Sequence, residues 1–153
     1  MCGPSPMLFH TVVWKQGRAT DLDTLGGDCS MSFSINDRSQ IVGYAQTTTG
    51  DWHASLWQNG TVSDLGTFGA DTFSMALSIN NRGQIVGCSN SYALLWEKRE
   101  TVDLQTRISA HSGWMLWCAA TINDLGQING FGMHNGQIRA FLLTPSECKD
   151  DCH

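Results

Sequence analysis

At 153 residues, with a formal net charge of −5 and only 15% charged side chains, the chain has the size of one domain and the composition of a β-protein with polar, uncharged turns. The acidic excess and the lack of a basic cluster argue against a nucleic-acid partner, and no apolar run approaches the ~20 residues that span a bilayer. The opening MCGPSPMLFHTVVW has neither a charged leader nor a long apolar segment, so it does not read as a signal peptide: the chain stays in the cytoplasm, or a leader is missing from it.

In chain order, residues 1–7 are a lead-in containing Pro and Ser, 8–145 form a repeat domain, and 146–153 are a polar tail. From Leu8 the chain reads strand (LFHTVVW), turn (Lys15-Gln16-Gly17), strand (ATDLDTL), then a Gly-rich loop, Gly26-Gly27-Asp28-Cys29. A hairpin from Met31 to Ala45 follows, then the loop QTTTGDW, the strand His53–Trp57, the turn Gln58-Asn59-Gly60 and the strand TVSDLGTF. A second hairpin runs from Ser74 to Ser89, with Tyr92–Trp96, the turn EKRE and TVDLQT behind it. The irregular loop RISAHSGW precedes a third hairpin, Cys118 to Phe131, and the loop MHNGQ leads into Arg139–Leu143. No segment carries a 3.6-residue apolar stripe with helix caps.

The three hairpins are copies of one unit: MSFSINDRSQIVGY, SMALSINNRGQIVGCS and CAATINDLGQINGF. Ile35, Ile79 and Ile122 correspond, as do Asn36, Asn80 and Asn123, and Gly43, Gly87 and Gly130, at a spacing of about 43 residues that marks a repeat architecture. Met75, Leu77 and Ile79 alternate with Ala76, Ser78 and Asn80, which predicts a strand with large side chains on one face and small ones on the other. Four short up-and-down strands per period predict an all-β fold of β-propeller-type blades, four antiparallel strands each and three repeats per chain; a β-solenoid of the same period is the runner-up.

The phrases TDLDTLGG, SDLGTFGA, SINDRSQIVGYA, SINNRGQIVGCS and RAFLLTP resemble the HAF-repeat proteins, described as probable extracellular repeat proteins, over Phe9 to Pro145. The signature itself is eroded to His53-Ala54-Ser55, Tyr92-Ala93-Leu94 and Arg139-Ala140-Phe141. The resemblance implies a propeller-like fold, usually with more repeats, and an extracellular location; it transfers no catalytic residue.

Six cysteines are an even number, which in a secreted chain hints at disulfides. Cys118 stands where other copies have Met31 and Met75, and Cys88 where they have Tyr44 and Phe131, so both are expected to be buried, reduced and apolar in role. Cys148-x-x-x-Cys152-His153 is the only pair near ligand spacing, and it lacks a second half; neither a metal nor a cofactor is expected.

Residues that recur are expected to be scaffold: Asp21, Asp64 and Asp103 as turn acceptors, Trp14, Trp57 and Trp96 as core between blades. Those that do not recur are the candidate ligand-binding residues: Asp28, Trp52, Asp71, His111, Trp114 and His134. In an up-and-down blade they fall at one end of the strands, where loops on a rigid scaffold carry function, and Trp with Asp, His and Asn suits sugar. They equally suit a rim that covers the core. The leading reading is a non-enzymatic binding or interaction module for a glycan or a protein. The competing class is a lyase or hydrolase with His111 or His134 as general base, which needs a partner about 3 Å away; a purely structural assembly unit is the third. Three blades are fewer than a closed ring needs, so a homodimer completing a six-bladed ring is expected.

Overall fold

The computed structural model describes residues 9–146, so Cys2 and the pair Cys148 and Cys152 with His153 lie outside the described residues. The chain is all-β, with strands β1 (Val12–Lys15), β2 (Arg18–Asp21), β3 (Gly26–Ile35), β4 (Ile41–Thr47), β5 (Trp52–Gln58), β6 (Thr61–Gly66) and β7 (Ser74–Ile79). After these come β8 (Ile85–Ser89), β9 (Tyr92–Glu97), β10 (Glu100–Asp103), β11 (Trp114–Ile122), β12 (Ile128–His134) and β13 (Gln137–Leu143). They form four antiparallel sheets of consecutive neighbours: β1-β2, β3-β4-β5-β6, β7-β8-β9-β10 and β11-β12-β13. The Gly-rich segment 26–29, expected as a loop, opens β3, and the end of the expected strand TVDLQT lies in a short 3-10 helix, Leu104–Arg107.

Local chemistry explains the turns. Asn36 Oδ1 accepts from the amides of Arg38 and Gln40, both at 3.0 Å, while its Nδ2 donates to Gln40 Oε1 at 2.7 Å. Asn80 repeats all three contacts on Arg82 and Gln84. One side chain thus replaces the bonds the reversal strips from the backbone. The reversals between β5 and β6 and between β12 and β13 use Asn59-Gly60 and Asn135-Gly136, with positive φ at both positions, as a two-residue hairpin requires.

The expected strict alternation along the first strand of each unit does not hold. A register shift falls at the same place in all three sheets, between Ser32 and Ser34, Ala76 and Ser78, and Ala119 and Thr121. The extra residue is Phe33, Leu77 or Ala120. A bulge of one residue reverses the side-chain phase, so Ala76 and Ile79, three apart, share one core cluster with Val42, Ala54, Ile85 and Leu94. Ala119 and Ile122 do the same against Val86, Leu95 and Leu116. Those two clusters fill the two gaps between the last three sheets. Trp57 and Trp96 are buried as expected, but Trp14 is 73% exposed, because among the described residues no sheet lies beyond β1-β2 to cover it.

Cys88 and Cys118 are buried, yet they are not reduced. They form a disulfide between β8 and β11, with Cα atoms 4.8 Å apart. Comparing repeat-equivalent positions hid this pairing, since it joins two different positions of adjacent copies across the gap between sheets. Cys29 is disulfide-bonded too.

A ladder of hydrogen bonds stitches the three Asn turns together. Asn36 Nδ2 donates to the Asn80 carbonyl at 3.1 Å, and Asn80 Nδ2 to the Asn123 carbonyl at 3.0 Å. Beside them, Asp37 N donates to Asn81 Oδ1, and Asn81 N to Asp124 Oδ1, each at 2.8 Å. Asn81 Nδ2 reaches both Asp37 and Asp124. The backbone amide of Asn81, then its side chain, holds the Asp124 carboxyl below its ordinary value of 3.8, against a smaller desolvation, with Arg82 assisting. A depressed carboxylate stabilises the fold fully above its unfolded value and loses that contribution as pH falls through the folded one. We expect an NMR titration to find Asp124 shifted down in the native protein and less far down in Asn81→Ala, which loses the side-chain bond and keeps the backbone amide; an unshifted Asp124 in the native protein would refute the ladder's role.

Candidate functional site

Register places all six candidate residues at the strand ends remote from the Asn turns. Trp114 pairs with His134 at the far end of β11-β12, whereas Ile122 and Ile128 flank the turn. Trp52 opens β5, Asp28 lies near the start of β3, Asp71 sits between β6 and β7, and His111 lies just before β11. They do not form one cluster. Trp114 and His134 stack with centroids 4.7 Å apart and planes 19° from parallel, and Phe141 meets Trp114 edge-on at 6.3 Å. Gln105 fastens this corner: its Nε2 donates to the Trp114 carbonyl and its Oε1 accepts from Leu116 N. Trp114 is therefore in large part a lid on the core of the last sheet.

Asp71 accepts from Ser89 Oγ at 2.7 Å and is committed to holding its own loop. Asp28 receives His10 at its backbone carbonyl, while its amide donates to Gln46 Oε1. His111 is exposed, and neither it nor His134 has a carboxylate partner among the described residues. A histidine–carboxylate pair does exist elsewhere: His53 Nδ1 lies 2.9 Å from Asp64 Oδ2. His10 and Asp21, at the equivalent positions one repeat earlier, lie 3.7 Å apart. A pair that recurs with the repeat belongs to the scaffold. Asp64 also accepts from Gly66 N, and Asp103 from Gln105 N, the turn bonds expected of these positions. No group of three metal-ligating side chains occurs among the described residues.

Trp52 stands in a different setting. Tyr44 meets it edge-on at 4.9 Å and contacts Phe33 at 5.6 Å and Phe73 at 6.4 Å. Phe9, Met31 and Phe33 are exposed around it, and a shallow cavity of about 230 Å³ opens between Phe9, Met31, Tyr44 and Trp52. Sequence reasoning singled out Trp52 and missed Tyr44 and Phe33, because Tyr44 sits at a repeated position and so counted as scaffold. The signal was there: Tyr44 alone of its three equivalents is an aromatic with a polar tip (the others are Cys88 and Phe131).

Larger clefts of about 550, 510 and 590 Å³ separate successive sheets at the opposite end of the strands. They recur with the repeat, lined in turn by Trp57, Trp96 and Leu143, and differ in detail. Trp57 Nε1 donates to the Asp23 carbonyl at 2.7 Å, whereas Trp96 Nε1 is buried without a partner. Compared with protein-family models, curated proteins and solved structures, the chain gives no match.

Proposed function

We propose that the protein is a non-enzymatic binding module whose sheets are blades of a β-propeller-type ring, and that it captures a protein partner by an apolar side chain at the patch around Trp52 and Tyr44. The observation that carries this reading is the exposure of Phe9, Met31 and Phe33 around a concave aromatic pair on a rigid sheet. Exposed aromatic and Met side chains on a concave surface are the composition of interface hot spots. The same patch has few free polar groups to fix sugar hydroxyls, which favours an apolar side chain over a glycan. The Cys88–Cys118 bond suits an oxidising compartment, where such partners are met.

Selection from a displayed peptide library on the immobilised protein tests this directly. Peptides with an aromatic or aliphatic anchor should be enriched, and Trp52→Ala and Phe33→Ala should each weaken them by about 10-fold or more. Phe33→Ala, at an exposed position, should leave the melting temperature within a few degrees. Binders indifferent to both substitutions, or glycan binding that requires Trp114 instead, would overturn the assignment.

A further inference from the structure

The hydrogen-bond ladder between the Asn turns has a direction, and so it has two unlike ends. At each step the earlier Asn side chain donates forward to the later Asn carbonyl. At each step the later Ile amide donates back to the earlier Ser hydroxyl: Ile79 N to Ser34 Oγ at 3.3 Å, Ile122 N to Ser78 Oγ at 3.2 Å. Asn80 and Asn123 carbonyls therefore accept twice, once from the turn amide and once from the preceding Asn. The Asn36 carbonyl accepts only the turn amide of Ser39 among the described residues. At the other end Asn123 Nδ2 donates to Gln127 Oε1 and has one hydrogen left, where Asn36 and Asn80 use both. One end of the ladder offers an acceptor, the other a donor of matching geometry.

The apolar surfaces repeat that complementarity. Between the described sheets, Ile79 and Cys88 are buried. Their equivalents at the two ends, Ile35 and Phe131, are 62% and 47% exposed. Ile35 borders the cleft lined by Leu22, Ile41 and Trp57, where β1-β2 occupies only the outer half of the neighbouring sheet's place. Among the described residues the inner half, two strands wide, stands open.

We infer that this opening is filled by the first two strands of the last sheet, β11 and β12, of a second copy of this chain. Asn123 Nδ2 of one copy then donates to the Asn36 carbonyl of the other, and Phe131 is buried against the first full sheet as Cys88 is against the next sheet within the chain. The contact is head to tail and continues the packing that joins the sheets within the chain. Two copies related by a two-fold axis make two such seams and close six sheets into a ring. β1 and β13 are equivalent strands, so one of them gives way at each seam. The inference rests on reading the sheets as blades, not on the peptide site. A single-chain mass with Trp52-dependent peptide capture intact would sink the pairing alone.

Light scattering at micromolar concentration decides it. The native protein should run at about twice the 16.8 kDa chain mass. Ile35→Glu and Phe131→Glu, both at exposed positions, should each run at the single-chain mass with unchanged β-sheet circular dichroism. Mixed in equal amounts, the two variants should pair again, because one of the two seams is then free of substitutions. A native protein that is single-chain at this concentration, a variant that stays paired, or a mixture that stays unpaired would each overturn the inference.

Discussion

Replacing Gly87 by alanine should destabilise the protein by about 3 kcal/mol, a large share of the ~5–15 kcal/mol that holds a domain together. The reason is space, not backbone freedom. A Cβ at Gly87 would fall on the carbonyl oxygen and carbon of Met75 and against the Ala76 Cα, all backbone atoms of the adjacent strand. A flexible side chain could swing away; a paired strand cannot. Gly43 meets Met31, and Gly130 meets Cys118, in the same way, so each full hairpin carries such a contact beside its bulge, and the third adds a second where Gly132 meets Met115. Gly60 is the control. Its φ is +76°, but nothing lies within 4 Å of its Cβ position, so Gly60→Ala should cost only about 1 kcal/mol of left-handed strain. Urea unfolding of both variants should show the threefold difference. A Gly87→Ala protein within about 0.5 kcal/mol of the native one would mean that the two strands leave room for a methyl group.

The second large effect is that of the disulfide. Cys88 and Cys118 are 30 residues apart, and closing a loop of that length removes enough chain entropy to stabilise the fold by about 3–4 kcal/mol. Cys88→Ala/Cys118→Ala should lose about that much, with little added for packing, since both side chains are small. Reductant should lower the melting temperature of the native protein and leave the double variant's response to this bond nil. Peptide mapping of unreduced protein should recover the two cysteines as one linked species. Alkylation of Cys88 in protein unfolded without reductant would refute the bond.

Much of the architecture was legible because it is written three times. The Ile-Asn turns, the Trp-bearing strands and the 43-residue spacing all appear in the sequence as copies, and the sheets follow their order. What could not be read is whatever depends on the relation between copies. The bulge at Phe33, Leu77 and Ala120 leaves no mark of its own, since an extra apolar residue only looks like the next step of an alternation. The Cys88–Cys118 bond joins unlike positions of adjacent copies, so aligning like with like argued against it. The candidate residues were legible as a set at one end of the strands, but their grouping was not. Trp114 stacks on His134 because β11 and β12 pair at those residues, whereas Trp52 finds Tyr44 and Phe73 from a different strand and the following sheet.

The short reach of the contacts bears on how the molecule is made. Among the described hydrogen bonds none joins residues more than 45 positions apart, so each sheet leans only on the one before and the one after it. A chain emerging from a ribosome can then finish one layer while the next is still being synthesised, and each new layer docks on a surface already in place. Damage spreads just as locally. A sheet lost from an end takes its own contacts with it and leaves the middle standing, so proteolytic trimming should proceed in steps of about one repeat rather than dissolve the whole at once.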